Sequence, residues 1–251
     1  MLIVSDVHDA FDALDRVAST GETLLILGDL VNLIDYRTLD GILPDVVGRD
    51  TVAELTNLRQ INRGEAARDI WIARIAELGI DVRSAVADAM QRQYRRMHDV
   101  LDGVSAYVTY GNADDPDLLR ENLPASVTFV DGDVVTIEGW TVGFVGGGIP
   151  KVGSSGEVSH DAMRTKLGGI GSVDVLCTHV PPDLPMLAED VVAGSVKASG
   201  PVLEYIDQYQ PQFHFFGDVH QPRAVSMTRG RTLCRNVGYF RATGRAVEFA
   251  G

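Results

Sequence analysis

Five apolar, β-branched runs in the chain each have the length of one β-strand, and each ends in polar residues. The runs are LIVSDVH (2–8), TLLILGD (23–29), SAYVTYGN (105–112), VDVLCTH (173–179) and QFHFFGDVH (212–220). Helical patterns over Asp9 to Ser19 and Pro201 to Tyr209 separate some of these runs. This alternation predicts β-α-β units and a mostly parallel sheet, in which ligand-binding groups collect beyond the carboxyl ends of the strands.

The polar residues at these strand ends are carboxylates, imidazoles and one carboxamide. They are Asp6, His8, Asp29, Asn112, His179, Asp218 and His220. The tripeptide Asp-Val-His occurs twice, and residues i and i+2 of an extended segment point to the same side, so each copy can act as a pair. An acid beside an imidazole suits a metal ion or a proton relay, although one copy alone also fits a strand end that meets a solvated turn. We expect all seven side chains to converge on one edge.

The segment between the second and third runs has mainly helical patterns. Apolar residues repeat at helical spacing from Val82 to Leu101, which predicts a helix over 81–102 that packs on the sheet. Residues 41–80 are expected to be a mainly helical insertion that shapes the site or forms a subunit contact, with a capping box at Thr51 and Glu54.

Short apolar runs between residues 126 and 148 alternate with Gly and Asp turns. They predict antiparallel strands that complete a second sheet, and the glycines at 146–148 predict a tight turn near the site. The whole chain, 1–251, is expected to form one domain. Cys177 and Cys234 lie in apolar strand patterns without metal-motif spacing, which predicts buried free thiols.

The charge of the chain limits its partners. The 35 acidic and 22 basic residues give a formal net charge of −13, which repels polyanions and disfavours an extended nucleic-acid footprint. No apolar stretch approaches bilayer length, and no basic and apolar leader precedes Ser5, so we expect no membrane association and a cytoplasmic location. A small substrate is therefore the expected partner, and the sequence leaves open whether the chain forms a homo-oligomer.

In chain order the strand ends read D-x-H, G-D, G-N, T-H and G-D-x-H. This series resembles the calcineurin-like metallophosphoesterase family, whose pattern is D-x-H, G-D, G-N-H-D/E, a lone His and G-H-x-H. The resemblance extends from residue 1 to at least 240 and includes CRNVGYF (234–240), which is similar to the family's Asn-x-Gly-Ser segment. It implies an α/β fold, a four-layer αββα sandwich of two mixed sheets flanked by helices.

The resemblance also implies the roles of six residues. Asp6, His8 and His220 would bind a first metal, Asn112 and His179 would bind a second, and Asp29 would bind both. The cofactors it implies are two divalent metal ions, with Mn²⁺ foremost and Fe, Zn or Mg as alternatives. A hydroxide that bridges the two ions would attack the phosphoryl group of a small phosphoester, and the six ligands would be the catalytic residues.

Two positions depart from the family pattern. Ala113 replaces a His that usually contacts the phosphoryl oxygens or protonates the leaving group, while Asp114 keeps the acidic position and either orients the loop or is a solvated cap. Asp218 replaces the first His of G-H-x-H. If Asp218 binds the second metal, a third carboxylate lowers the charge of the cluster and favours phosphodiester monoanions over monoester dianions. The alternative is that Asp218 turns away and the second site is weak or empty.

These residues favour a metal-dependent phosphoesterase that hydrolyses a phosphodiester. A phosphomonoesterase or nucleotide phosphatase is the main alternative, and the charge of the cluster separates the two. The other alternative is a binding or scaffold protein that keeps the fold without catalysis.

Overall fold

The computed structural model of the chain describes residues 1–61 and 63–250. The strands in these ranges, β1 to β13 in chain order, are Leu2–Val4, Leu24–Leu27, Ala106–Thr109, Val127–Phe129, Asp133–Ile137, Trp140–Val145, Val175–Thr178, Glu189–Asp190, Ser195–Val196, Phe213–Phe216, Ser226–Arg229, Thr232–Asn236 and Val247–Glu248. The helices, α1 to α10, are Phe11–Ala18, Ile42–Val47, Arg49–Gln60, Gly64–Leu78, Val82–Leu101, Pro116–Glu121, His160–Ile170, Pro185–Ala188, Gly200–Tyr209 and Phe240–Thr243.

Two mixed sheets form the centre of the molecule. The first has the strand order β13-β1-β2-β3-β4, in which only β13 is antiparallel to its neighbour. The second has the order β11-β12-β10-β7-β6-β5, with four parallel central strands and an antiparallel strand at each edge. Strands β8 and β9 form a short antiparallel hairpin outside the two large sheets.

The core separates into layers because alternate residues of a strand face opposite sides of a sheet. Ile3 and Leu25 of the first sheet pack with Phe144 and Phe215 of the second, so the two sheets bury one face against each other. On the outer faces, Ile26 and Leu176 belong to a cluster that includes side chains of α1, α5, α7 and α9. The predicted four-layer αββα arrangement is therefore confirmed.

The strands between 126 and 148 differ in part from the prediction. Strands β5 and β6 form the expected antiparallel hairpin of the second sheet, since Glu138 and Gly139 both have positive φ and make a two-residue turn of the type that hairpins favour. Strand β4, however, pairs in parallel with β3 in the first sheet, with Ala106 opposite Val127. Helix α6 lies between β3 and β4, so this part of the chain is a β-α-β unit rather than a meander.

Helix α5 begins and ends within one residue of the predicted helix, and the Asp81 side chain caps it by accepting a hydrogen bond from Ser84 N at 3.2 Å. Helices α2, α3 and α4 occupy the segment 41–80, and Trp71 packs with Val47 and Val52 in a small cluster of their own. The predicted capping box is wrong, because α3 begins at Arg49 and Thr51 already lies inside its first turn.

Both cysteines are buried free thiols, as predicted. No helix in residues 1–61 and 63–250 is long and apolar enough to cross a membrane.

His214 on β10 is fully buried and is expected to make stability depend on pH. The Thr178 hydroxyl donates its single hydrogen to Val180 O at 2.6 Å, so His214 Nε2 must donate to Thr178 Oγ1 at 2.8 Å. Nδ1 is then the basic atom, and it has no hydrogen-bond partner among the described residues. Burial therefore lowers the pKa of His214 from 6.5 to about 3.

Because the folded pKa lies below the unfolded value, the unfolded chain binds the proton first as pH falls. We expect the free energy of unfolding to decrease between about pH 6.5 and pH 3, and His214→Gln, which cannot titrate, to remove that part of the decrease. Urea unfolding of both proteins between pH 7.5 and 4.5 measures it. Two parallel curves would show that His214 does not contribute.

Candidate metal centre

The seven polar residues singled out in the sequence lie at the carboxyl ends of five strands, three in the first sheet and two in the second. The single edge expected from the sequence is therefore the junction of two sheet edges. The chain turns sharply there: Asp6, His8, Asp29 and Asp218 have φ values between 43° and 64°, in the left-handed region. Such backbone is uncommon for residues other than glycine, and its concentration at one junction makes this place a candidate functional site.

This backbone corrects the pairing expected from the two Asp-Val-His copies. Strand β1 ends at Val4, so Asp6 and His8 come together through a turn and not through an extended segment, with 3.8 Å between Asp6 Oδ1 and His8 Nε2. In the second copy His220 Nε2 contacts Asp6 Oδ1 at 3.2 Å, whereas the Asp218 carboxylate contacts Lys197. The two members of the second copy thus contribute to different contacts.

The first candidate metal group consists of Asp6, His8 and His220, whose ligand atoms lie within 4.8 Å of one another. Asp6 and His8 are buried, and His220 is partly exposed. The ring of Tyr239 stacks on His220 with centroids 3.8 Å apart and planes 3° apart, which holds the imidazole toward Asp6. Sequence reasoning did not single out Tyr239, although it lies in the 234–240 segment that the family resemblance includes.

The second candidate group consists of Asp6, Asp29 and His179, again with ligand atoms within 4.8 Å, and all three are buried. Asp6 belongs to both groups, and Asp29 of the second group also faces the first. Asp29 Oδ2 is 3.6 Å from His8 Nε2, and Asp29 Oδ1 is 3.5 Å from His179 Nε2. A carboxylate in this place can span two cations.

Backbone carbonyls fix the tautomers of the two buried histidines. His8 Nδ1 lies 3.1 Å from Val31 O, and His179 Nδ1 lies 2.8 Å from Leu27 O, so in each ring Nδ1 carries the hydrogen and Nε2 is left with a lone pair. Both Nε2 atoms face carboxylate oxygens. His8 Nε2 has no hydrogen-bond partner among the described residues although it is buried. A ring nitrogen that faces carboxylates in a buried site needs a positive charge between them, which a proton or a metal can supply, so these residues fit a divalent metal ion.

The electrostatics of the site show the same excess of negative charge. Burial alone would lower the pKa of His179, but the carboxylates of Asp29, Asp218 and Asp6 raise it to about 10. Burial of Asp6 is likewise outweighed, because its hydrogen bond to His220 lowers the pKa of the carboxyl well below its usual range. The carboxylates around His179 therefore stabilise positive charge, supplied by a proton in the metal-free chain, whereas burial lowers the pKa of His8 and favours its neutral form.

Asp218 does not turn toward solvent, since its side chain is 1% exposed. Its Oδ1 contacts Lys197 Nζ, and Lys197 Nζ also donates to Asp218 O at 2.6 Å. The Asn112 amide is oriented so that both of its polar atoms have partners. Its Nδ2 donates to Asp218 Oδ1 at 3.0 Å, and its oxygen accepts from Ala113 N at 3.2 Å. Lys197 carries no recognisable motif, so sequence reasoning missed it.

Asp114 orients the loops of the site, which decides between its two sequence interpretations. It is buried, and its carboxylate accepts from Leu30 N at 3.0 Å, Val31 N at 3.3 Å and Gly111 N at 2.9 Å. Tyr94 OH on α5 donates to it at 3.1 Å. The sequence gives only an indirect signal for this contact, because Tyr94 lies at helical spacing from apolar residues of α5. Burial and the nearby Asp29 raise the pKa of Asp114 to about 6.

Two glycines allow the strand ends to approach closely. The tight turn predicted at 146–148 is not found, because Gly148 instead pairs with Glu157 in a parallel β-bridge beside the site. A Cβ on Gly148 would overlap the Asn112 side chain, and a Cβ on Gly111 would overlap Asp29 Oδ1 and lie 2.6 Å from His179 Cε1. We expect Gly111→Ala to displace these ligands, with loss of bound metal and of several kcal/mol of stability.

Gly168→Ala is the matched control for Gly111→Ala. Gly168 lies in the exposed interior of α7, where an added Cβ meets no atom within 4 Å, so alanine should stabilise the chain by about 0.5–1 kcal/mol. Urea unfolding and metal analysis of both variants test the prediction. Equal effects of the two substitutions would contradict the close approach at Gly111.

No family model and no curated protein matches this chain. Solved structures do match it. One crystal structure covers 95% of this chain and 90% of its own at 13% identity, with a TM-score of 0.60. The crystal structure of TT1561 of Thermus thermophilus covers 98% of this chain and 96% of its own at 10% identity, with a TM-score of 0.55. The phosphopantetheinyl hydrolase PptH from Mycobacterium tuberculosis covers 96% and 91% at 13% identity, with a TM-score of 0.44.

The chain shares its α/β fold, two mixed sheets flanked by helices, with these solved structures. The two similarities with TM-scores above 0.5 extend over nearly the whole chain, so they concern the complete two-sheet arrangement. At identities of 10–13% they describe the fold alone. What the site does has to be argued from its own side chains.

Proposed function

We propose that the chain is a metal-dependent phosphoester hydrolase. The observation that supports this most directly is the pair of buried histidines, His8 and His179, which the backbone holds with their Nε2 lone pairs toward carboxylates. In our proposal Asp6, His8 and His220 hold one divalent ion, His179 and Asn112 belong to a second position, and Asp29 lies between them. Mn²⁺ is the preferred candidate because the site combines carboxylate oxygens with imidazoles.

Divalent ions bound here would lower the pKa of a coordinated water and neutralise charge on the phosphoryl oxygens. The chain supplies the remaining requirements. Asp6, His8 and Asp29 are each less than 10% exposed, so the walls of the site exclude bulk water from one side of the phosphoryl group. Water adds to phosphorus and releases one proton to solvent, while the bond from phosphorus to the leaving oxygen breaks.

Position 113 limits the leaving group. Ala113 is buried next to Asn112 and has no proton to donate, so this position supplies no acid for the departing oxygen. Esters of acidic alcohols and phenols, which leave as stable anions, are therefore expected to react fastest.

The class of ester is less determined than the sequence suggested. A preference for diesters followed from the extra negative charge of Asp218, but the Lys197 ammonium pairs with that carboxylate and returns one positive charge to the site. Phosphodiesters remain our first proposal, and Lys197 makes phosphomonoesters a specific second candidate because a dianion gains more from the added charge.

The experiment is hydrolysis of a panel of aryl phosphodiesters, cyclic nucleotides and aryl phosphomonoesters by metal-stripped protein, before and after addition of Mn²⁺. We expect hydrolysis that depends on Mn²⁺ and is fastest for the aryl esters. A chain that binds Mn²⁺ without hydrolysing any ester would instead be a binding or scaffold protein with this fold. Failure to bind Mn²⁺ would contradict the proposed metal centre itself.

A further inference from the structure

Lys197 reaches the site from the β8–β9 hairpin. Its backbone is fixed, because Lys197 N donates to Ala188 O at 2.9 Å, and two residues later Ser199 N donates to Pro181 O at 3.1 Å. From this base the side chain extends to Asp218, with its Nζ in contact with Oδ1 and 2.6 Å from the backbone oxygen. The Lys197 side chain is only 24% exposed, so the ammonium lies inside the site rather than over its mouth.

The same carboxylate oxygen already has other partners. Asp218 Oδ1 accepts from Asn112 Nδ2 at 3.0 Å and lies 3.7 Å from His179 Nε2. Its lone pairs are therefore directed to Lys197 and Asn112, and Asp218 belongs to neither of the two metal-ligand groups found among the described residues. The Lys197 ammonium contacts the same Asp218 oxygen that faces His179, so it occupies part of the space that a cation bound to Asp218 would need.

The charges lead to the same conclusion. The family pattern has a neutral His at position 218, whereas this chain has a carboxylate and a lysine in contact, a pair that is also neutral overall. The pair differs from the His in one respect, which is that its positive charge occupies space near the second metal position. A divalent cation there would be repelled by the ammonium unless Lys197 moved away.

We propose that Lys197 is a built-in competitor of the second metal ion: the wild-type chain binds one divalent cation tightly, on Asp6, His8 and His220, and binds a second only by displacing the Lys197 ammonium from Asp218. This inference rests on the proposed function, since it assumes that the centre binds divalent metal. It assigns Asp218 as the partner of Lys197 rather than as a permanent metal ligand.

The test replaces Lys197 by Met, which keeps the length of the side chain and removes its charge. Metal-stripped wild type and Lys197→Met are titrated with Mn²⁺ by calorimetry, and the bound ions are examined by electron paramagnetic resonance, which distinguishes isolated from coupled Mn²⁺. We expect one tight equivalent in the wild type. We expect two in Lys197→Met, with at least tenfold tighter binding of the second ion and a coupled spectrum.

Lys166→Met is the matched control. Lys166 Nζ contacts Asp131 Oδ2 at 2.7 Å, and its side chain is 23% exposed, so it resembles Lys197 in burial and pairing but lies outside the metal-ligand groups. Its loss should leave Mn²⁺ binding as in the wild type. Lys197→Gln is the second variant, to be used if Lys197→Met does not fold.

Each outcome decides the question. Two tight, coupled ions in the wild type would overturn the competition while supporting the proposed function. Unchanged binding of the second ion in both Lys197 variants would also overturn it. If no protein in the series binds Mn²⁺, the proposed function and this inference fail together.

Discussion

Asp29→Asn is expected to lose bound metal at both positions and to hydrolyse phosphoesters more than about 100-fold more slowly. Loss of a residue that only supports a metal ligand lowers metal affinity or activity by about 10–100-fold, and loss of a ligand itself should exceed that. The reason is the place of the Asp29 carboxylate, 3.6 Å from His8 Nε2 and 3.5 Å from His179 Nε2. Asparagine keeps the shape of the side chain and an oxygen for Ala113 N, which donates to Asp29 Oδ1 at 2.8 Å, but it removes the negative charge that faces both His8 and His179. Metal analysis and steady-state rates with added Mn²⁺ measure the two effects.

Asp9→Asn is the matched control for this change. Asp9 also has a positive φ, of 67°, and its carboxylate is engaged with Arg96 at 2.8 Å, outside both candidate metal groups. The control should retain wild-type metal content. If Asp29→Asn also retained its metal and its rate, Asp29 would not connect the two groups.

Asp114→Ala is expected to lower the free energy of unfolding by about 3–5 kcal/mol. The substitution leaves three buried backbone donors and the Tyr94 hydroxyl without their acceptor, and each such loss costs about 1–3 kcal/mol, less where water can enter. Because these donors belong to the loops that follow β2 and β3, metal binding should weaken together with stability. Urea unfolding with an unchanged slope would show that the native state, not the unfolded ensemble, is affected.

Two variants define the specificity of that effect. Asp115→Ala removes the neighbouring carboxylate, which caps α6 through Asp117 N and Leu118 N, and should cost only about 1 kcal/mol. Asp114→Asn should be intermediate, since one oxygen still accepts from Leu30 N while the amide hydrogens oppose Gly111 N. A loss in Asp114→Ala no larger than in Asp115→Ala would contradict the orienting role.

The hydrophobic pattern predicted the layers of the fold because buried strands and amphipathic helices are local properties of the chain. Strand β4 was assigned to the wrong sheet, since the apolar pattern of Val127 to Phe129 says that a strand forms but not which neighbour it pairs with. That choice depends on α6, which turns the chain back toward β3.

The site was predictable to the extent that its residues follow strands. Asp6, Asp29 and His179 converge because the carboxyl ends of their strands meet. The role of Asp218 was not predictable, because it depends on Lys197, which approaches from a hairpin 21 positions earlier in the chain. The left-handed turn at His8 was likewise missed, since the extended spacing of Asp-Val-His suggested a straight strand.

The most direct test of the metal centre is an anomalous difference map from a crystal of the wild-type chain grown with Mn²⁺. The account predicts a strong manganese peak at bonding distance from Asp6, His8 and His220. A map in which Mn²⁺ is absent from these three side chains, at a concentration that supports hydrolysis, would contradict it.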